Sequence, residues 1–539
     1  MAVLGALVPA EQWAAIFQTD LAFPNVRRPD RPSALAGARL LRVMLFVAPL
    51  CLLAAAWVFR RAGAATSPRR ERVPVASREL WIVSGLVALA LIARLPRLGE
   101  SLWYDEIAAW ADYGMRGPGW IVGTYYDPAN HILHTLLTSW SVRWLDFDAF
   151  ALRLPALLFS IASIVPVYGL ARCAAGSRIA FYAGLCAAIL PVMVLEGVEA
   201  RGYAMMIFFS AAASWALVSA WRDPRPWKWL IYALCCALGV WAHFTTAFIA
   251  LGHGAWAAWR LVRHRERALF ACCASALVLG AVLSLTLCAP ILPQLLEIRA
   301  TFAAVEGDEP RLLGPEGWHA LLQLGGSWSW WAAIAGLWLV VHGFWHSRGN
   351  GTRRGALALT LTGLPLFLVT VALAGSWMYA RFTLFALPGA CLAMAIGLDG
   401  LWKWQRPAGA AAVILIIAAS VADLAARPPK QPLREAVAYV RAAARPGDRI
   451  VAVGLAHRVL EVYAGDLNVM YSLRHGADLD QALAGAQPQW VILYYPRSVR
   501  QETYELLRDG GFIESHPFRG WVDWDNGDVI VYRGPPAPP

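Results

Sequence analysis

Apolar residues along this chain gather in long runs instead of the short alternations of a soluble domain. Runs close to the roughly 20 mainly apolar residues a helix needs to cross a bilayer occur at 40–59, 80–97, 151–171, 179–195, 204–221 and 228–242. They continue at 245–261, 268–289, 328–345, 355–374, 382–400 and 408–426. The pattern predicts a polytopic α-helical membrane protein with about 11 to 12 transmembrane helices. A further run from His131 to Trp144, about 14 residues long, suits a juxtamembrane or re-entrant helix better than a full crossing. After Arg427-Pro428-Pro429 the pattern becomes that of a soluble domain of about 100 residues, enough for a modest core of its own. Helices are expected there at 433–444, 458–464, 479–486 and 499–509, the last closed by Gly510-Gly511, with strands at 449–453, 490–495 and 529–532. The expected organisation is an N-terminal segment 1–38, a membrane domain 39–426 and a small C-terminal soluble α/β domain 427–539. That last domain has no glycine-rich phosphate fingerprint at a strand-to-helix turn, so no nucleotide is assigned to it.

Composition supports lipid as the main solvent: 58% of the residues are hydrophobic, 15% are charged and 27 are Trp. The net charge of +11 does not point to nucleic acid, because the basic residues are dispersed among short loops flanking apolar runs, where topology and anionic headgroups account for them. Lys and Arg are retained on the cytoplasmic side. Six basic groups alternate cleanly along the chain. They are Arg60 to Arg78, Arg172 with Arg178, Arg222 with Arg225 and Lys228, Arg260 to Arg267, Arg348 with Arg353 and Arg354, and Lys403 with Arg406. With these inside, the outer segments are 98–150, 196–203, the surroundings of His243, 290–327, 375–381 and everything after 427. Residues 1–38 also fall outside if 40–59 spans, although Arg27, Arg28, Arg31, Arg39 and Arg42 by themselves favour the inside. Residues 1–18 lack the basic start and small-residue cleavage site of a secretory signal. The nine Cys lie in or beside apolar segments and none follows Cys391. The C-terminal domain is therefore not disulfide-stapled, and no Cys pair has metal-ligand spacing.

Four clusters carry ionisable groups where apolar or interfacial residues are the ordinary expectation, and the topology puts all four outside. The first is the loop WYDEIAAW at 103–110, in which Asp105 and Glu106 follow an apolar span directly. Carboxylates at the lip of a membrane helix are costly unless they face water, a partner or a substrate. A general base is the functional use, and a solvated interfacial pair is the alternative. The second is DPANHILH at 127–134. A helix there would put Asn130, His131 and His134 on one face, as hydrogen-bonding groups more readily than as metal ligands, since no third ligand is fixed. The third is LEGVEARGYA at 195–204, with Glu196, Glu199, Arg201 and Tyr203; an ion pair tethering the loop is its alternative use. The fourth is SWMYARF at 376–382, where Tyr379 and Arg381 open a long span from its outer end. Arg381 is placed either to snorkel to headgroups or to bind phosphate with its planar, permanent charge.

The order WYDE, NHILHTLL, FALRLPALLFSIASIVPVYGLAR, EARGYA, YARFTLFALP resembles the membrane glycosyltransferases of the protein O-mannosyltransferase superfamily. These comprise glycosyltransferase family 39 and its bacterial relatives, including the lipid A aminoarabinose transferases. The resemblance covers roughly 80–400 and implies a GT-C fold and inverting transfer of a sugar from a polyprenyl-phosphate-linked donor on the periplasmic face. It implies Asp105 as catalytic base with Glu106 beside it. It implies Glu199, Arg201 and Tyr203 as a second outer motif, and Arg381 as the basic position before FALP. Two departures stand out. NHILHT replaces HPPLYY, so His131 and His134 inherit no role. The Lys of the aminoarabinose branch is missing, which argues against that acceptor.

Residues and resemblance lead to one expected mechanism. Arg201 or Arg381, with Tyr203 and Tyr379, binds the lipid phosphate and stabilises it as leaving group, while Asp105 takes the proton of the incoming hydroxyl. Glu196, Glu199, Asn130, His131 and His134 form the expected second acidic or acceptor site. No cofactor is required; a divalent cation near Asp105 is compatible with the pattern but not demanded by it. The expected partners are the polyprenyl-phosphate sugar, a glycan, lipid or protein acceptor, and membrane lipids, without nucleic acid. The expected location is the bacterial inner membrane, with the site and the C-terminal domain periplasmic. Competing readings are a lipid-linked glycan polymerase or ligase, a transporter or flippase, for which inverted repeats or broken helices are the missing signature, and a non-catalytic assembly subunit. The topology has a direct test: a reporter fused after Arg427 is expected to be active only outside the cytoplasm, and cytoplasmic activity would invert the whole site assignment.

Overall fold

The computed structural model describes residues 2–17, 31–65, 77–303, 312–375, 378–453, 462–465, 467, 469–472, 489–499, 501–522 and 526–535. By internal packing the chain divides into two compact units. One comprises Met1–Leu98, Arg116–Phe147 and Ala151–Ala425; the other comprises Gly99–Met115, Asp148–Phe150 and Ala426–Pro539. Gly99–Met115, which the sequence pattern counts with the membrane domain, groups with the C-terminal residues.

The first unit is helical throughout. Each apolar run picked out along the sequence is a helix or a pair of helices, and the run after His131 is the helix Ile132–Leu145. Among the described residues, 8 helices are long and apolar enough to cross a membrane, so the chain is a multi-pass membrane protein. The shorter apolar helices Ser177–Ile189 and Pro226–Ala242 and the 18-residue helices Ala247–His264 and Trp330–Ser347 complete the set. Helix Leu387–Trp404, with the 3-10 segment Ala380–Ala386 before it, runs through the centre, and its spanning window is buried over its whole length. It can approach Trp330–Ser347 backbone to backbone because glycines face the crossing. A Cβ on Gly343 would lie 1.9 Å from the Ala393 carbonyl oxygen, and one on Gly397 would lie 2.5 Å from that of Leu339. Small residues are what membrane helices use where lipid supplies no hydrophobic drive.

The six basic loops meet on one face of this unit. Glu79 pairs with Arg172 at 2.5 Å and accepts from Ser177. The Arg222 guanidinium donates to the Cys173 carbonyl, and Trp221 Nε1 and Arg260 both bond Glu266. Buried Asp399 gathers Arg178 at 2.5 Å, Lys403 at 2.9 Å and Arg353 at 3.6 Å. The alternation read from the sequence therefore corresponds to a real end of the molecule, built where cations from separate loops share carboxylates.

One predicted span is broken. The run 179–195 splits into Ser177–Ile189 and Pro191–Leu195. Leu190, preceding a proline, turns to an extended ψ of 132°. Pro191 has no N–H to offer the Ala187 carbonyl, and Val192 N–H donates instead to the Gly326 carbonyl at 3.2 Å, leaving the Ala188 carbonyl without its helical donor. Fully buried Arg94 fills the gap. Its Nη2 bonds the carbonyls of Ala187 (3.2 Å) and Met193 (2.9 Å), Nη1 those of Ala188 (2.8 Å) and Ala90 (3.0 Å), and Nε donates to Ser160 Oγ at 2.7 Å. All five guanidinium N–H groups are thus used, three of them on carbonyls of the broken stretch.

The second unit holds a five-stranded sheet. Its strands are β1 (Ile450–Val453), β2 (Val469–Ser472), β3 (Trp490–Tyr494), β4 (Ile513–Phe518) and β5 (Val529–Arg533), in the order β2-β1-β3-β5-β4. β1 is parallel to β2 and β3, with Ile450 opposite Val469 and Trp490; β3–β5 and β4–β5 are antiparallel. Val451, Val453, Val491 and Leu493 pack on Leu507 and Phe512, and helices Leu433–Ala443 and Gln501–Asp509 lie where expected. The expected helix 479–486 and most of 458–464 lie outside the described residues. β2 and β4 were not anticipated. β4, IESHPF, is largely exposed and contains Pro517, which an edge strand tolerates.

Arg94 is the testable element of this fold. Arg94→Met is expected to destabilise the detergent-solubilised protein by about 3–5 kcal/mol, the usual effect of removing one side of a buried, hydrogen-bonded charge. Arg94→Lys should recover only part of this, because an ammonium has three donors and no fork. A thermal or SDS unfolding midpoint unchanged in Arg94→Met would show that the clamp is dispensable.

Candidate functional site

Two loops of the first unit are stapled to each other. In the loop before Ile132–Leu145, Asp127 Oδ1 accepts from Ala129 N at 2.7 Å, and Asn130 Nδ2 donates to the carbonyls of Ile121 (2.9 Å) and Thr124 (3.0 Å). The loop after Leu195 is buried through Glu196, Glu199 and Arg201. Arg201 Nη1 donates to the Ala129 carbonyl at 2.9 Å, and Gly202 N–H donates to His131 Nδ1 at 2.6 Å. Gly202 has no room for a side chain, since a Cβ there would sit 2.3 Å from the Ala242 carbonyl oxygen and 2.7 Å from His131 Nδ1.

This arrangement corrects the expected helical face of Asn130, His131 and His134. The helix begins only at Ile132, with His131 as its N-cap, because Asp127-Pro128 starts a turn and the Asn130 side chain is spent on closing it. His134 lies inside the helix, with Nδ1 3.3 Å from Thr138 Oγ1.

Around His131 the rings of Tyr203 (5.3 Å) and His243 (4.8 Å) pack edge to face, and His243 also meets Tyr203 at 5.7 Å and Phe382 at 5.8 Å. His243 stands between helix Pro226–Ala242 and the turn Phe244–Thr246. Phe382 continues to Tyr379, over whose ring the Arg381 guanidinium lies at 3.9 Å; the Arg201 guanidinium lies 5.8 Å from the Tyr203 ring. The Arg381 segment is held by helix Pro315–Leu324. Glu316 Oε2 accepts from Ala380 N at 2.7 Å, and Gln323 Nε2 donates to the Ala380 carbonyl (3.0 Å) and Thr383 Oγ1 (3.1 Å). Arg201, Tyr203, His131, Tyr379 and Arg381 thus belong to one cluster.

Electrostatics give the cluster its chemistry. Burial, then the charges of Arg201 and Arg381, push His243 down to about 3. Burial, Arg201, His243, His134 and Arg381, in that order, hold His131 well below the ordinary imidazole range. The imidazoles are neutral at physiological pH, and the positive charge is carried by the two guanidiniums. Such a set suits an anionic group presenting several oxygens. Among the described residues, no group of three or more His, Cys, Asp or Glu side chains could hold a metal ion.

Asp105 and Glu106 belong to the second unit, in the first turn of helix Tyr104–Asp112. Glu106 is buried, and its Oε2 accepts from Trp103 N at 3.2 Å, capping the helix. Asp105 is half-buried. Residues of the C-terminal part fix the loop. Tyr104 N donates to Gln431 Oε1 at 2.8 Å, Leu102 N to Tyr463 Oη at 2.7 Å, and the Lys430 ammonium lies 4.7 Å from the Trp103 ring.

The sequence assigned no role to His243, Glu316, Gln323 or Gln431. A polar residue in the short gap between two apolar runs was the available signal for His243. The others act through contacts far along the chain, which no local pattern announces.

Comparison with proteins of known structure settles the architecture. ArnT from Cupriavidus metallidurans in the apo state superposes with a TM-score of 0.52 at 13% identity, over 85% of this chain and 98% of that one. The same protein bound to undecaprenyl phosphate gives 0.50 at 12% identity, with the same coverage. The oligosaccharyltransferase of Archaeoglobus fulgidus in the apo form gives 0.51 at 11% identity, over 77% of this chain and 69% of that one. The chain has the GT-C fold. Within this GT-C chain, residues 131–293 match the family model of the dolichyl-phosphate-mannose-protein mannosyltransferases. The matched stretch opens on His131 and includes Glu196, Glu199, Arg201, Tyr203 and His243; Asp105 and Glu106 precede it and Arg381 follows it. No curated protein sequence matches the chain at a significant level.

Proposed function

We propose that this GT-C protein is an inverting glycosyltransferase that moves a sugar from a polyprenyl-phosphate-linked donor to a hydroxyl acceptor at the periplasmic face of a bacterial inner membrane. The observation that carries the reading is the pairing of two guanidiniums, Arg201 and Arg381, with neutral imidazoles and aromatic rings in one cluster of the first unit. Much of that cluster falls in the stretch that matches the mannosyltransferase family. The undecaprenyl phosphate bound by the superposable ArnT supports a lipid phosphate as the anion.

In this reading the acceptor oxygen attacks the anomeric carbon from the face opposite the phosphate. The bond from that carbon to the phosphate oxygen breaks, and the lipid phosphate leaves with the electron pair. Arg201 and Arg381 stabilise the charge that grows on it, a role that asks for preorganised cations more than for a proton donor. Asp105 takes the acceptor proton. Glu106 is the poorer candidate for base because its carboxylate caps the helix on which both residues stand. Glu196 and Glu199 are assigned to the acceptor side, and no metal is assigned.

The test is Asp105→Asn in purified protein with a lipid-linked donor. Side-chain size is kept while basicity is lost, so transfer is expected to fall by at least about 100-fold, the usual order for loss of a general base, with folding and donor binding retained. Glu106→Gln should be milder, since an amide oxygen can still accept the Trp103 N–H. Near-normal turnover by Asp105→Asn would remove Asp105 as base.

A further inference from the structure

The two imidazoles of the cluster are fixed in one tautomer by their neighbours. A backbone N–H can only donate, so the bond from Gly202 N to His131 Nδ1 at 2.6 Å makes Nδ1 an acceptor and puts the ring proton on Nε2. His243 is fixed the same way. Its Nδ1 accepts from Thr245 N at 3.4 Å, and Thr245 Oγ1 stands 2.8 Å away. The Thr245 hydroxyl also faces Met206 Sδ at 3.1 Å, but a thioether is a weak acceptor and the imidazole nitrogen the better one. Neither Nε2 atom makes a hydrogen bond among the described residues, and neither is sealed away from solvent. The two rings are 4.8 Å apart, centroid to centroid.

We infer that His131 and His243 present two neutral Nε2–H donors to a phosphate ester anion, forming with Arg201 and Arg381 a cradle in which only the arginines are charged. This rests on the proposed function, which supplies the phosphate, and deepens it by assigning a residue, His243, that no motif marked. The physical sense is a division of labour. Guanidiniums supply the attraction, while neutral N–H groups orient individual oxygens without adding repulsion among the cations. Aromatic walls from Tyr203 and Phe382 keep both rings upright.

The experiment measures equilibrium binding of a polyprenyl phosphate, and separately of inorganic phosphate, to the purified full-length protein in detergent. His243→Ala is expected to weaken polyprenyl phosphate binding about 10- to 100-fold, the loss of one hydrogen bond to a charged group. His243→Gln, which returns an N–H donor near the Nε2 position, should recover most of it. The ratio of His243→Ala to wild-type affinity should stay constant from about pH 8 to about pH 5.5, because a neutral donor does not titrate across the ordinary imidazole range. A ratio that grows toward acid would assign the attraction to an imidazolium and overturn the inference. So would unchanged binding in His243→Ala, or failure of Gln to rescue, while the wild type binds the lipid. A wild type that binds only inorganic phosphate, with the same His243 dependence, supports the cradle but removes the lipid-donor reading. A wild type that binds neither removes both.

Discussion

The first unit depends on a proline break inside the bilayer and on the cation that makes the break tolerable. Pro191 stops a helix where water cannot reach its loose carbonyls, and unsatisfied backbone groups cost several kcal/mol in hydrocarbon. Arg94, reaching from helix Ser77–Arg94, gives its donors to that stretch and to Ser160. The segment beyond the break then turns as the tight loop that carries Glu196, Glu199 and Arg201 before Tyr203 restarts a helix. The loop has little slack, since a Cβ on Gly197 would meet Ser160 Oγ at 2.2 Å and the Met193 carbonyl oxygen at 2.4 Å. A buried guanidinium thus underlies the geometry of a second guanidinium at the site, through Ser160 and Met193.

Much of this was legible beforehand, for identifiable reasons. Membrane helices announce themselves because lipid demands long apolar runs, and every such run is helical. The alternation of Arg and Lys marked one end of the molecule, where Asp399 and Glu79 now hold the cations of neighbouring loops. The sequence order of WYDE, EARGYA and YARF picked out ionisable groups that a lipid-facing surface would not carry. The helix break at Pro191 and the Arg94 clamp escaped notice because Arg94 sits at the end of an apolar run, where snorkelling is the ordinary expectation. His243 escaped because its meaning lies in the 4.8 Å contact with His131, 112 positions earlier in the chain. In the second unit β4 escaped because an exposed edge strand with a proline lacks the period-two signal.

The division of the chain also recasts the carboxylate loop. WYDE looks like the lip of a transmembrane helix in the sequence, yet its backbone is tied to Gln431 and Tyr463 and its Trp103 ring to Lys430. The soluble domain thereby has a structural task that its composition did not suggest: it fixes the residue proposed as base. The cationic cluster has a separate support in helix Pro315–Leu324, which anchors Ala380 beside Arg381 through Glu316 and Gln323.

The central claim is that a lipid phosphate carrying a sugar is the ligand of the Arg201 and Arg381 cluster. Mass spectrometry of lipids retained by the purified protein tests it most directly, comparing the wild type with a variant in which both arginines are Ala. A polyprenyl phosphate bearing a single sugar, retained by the wild type and lost from the variant, is the predicted result. Equal retention by both proteins, or retention only of pyrophosphate-linked glycans, would contradict it.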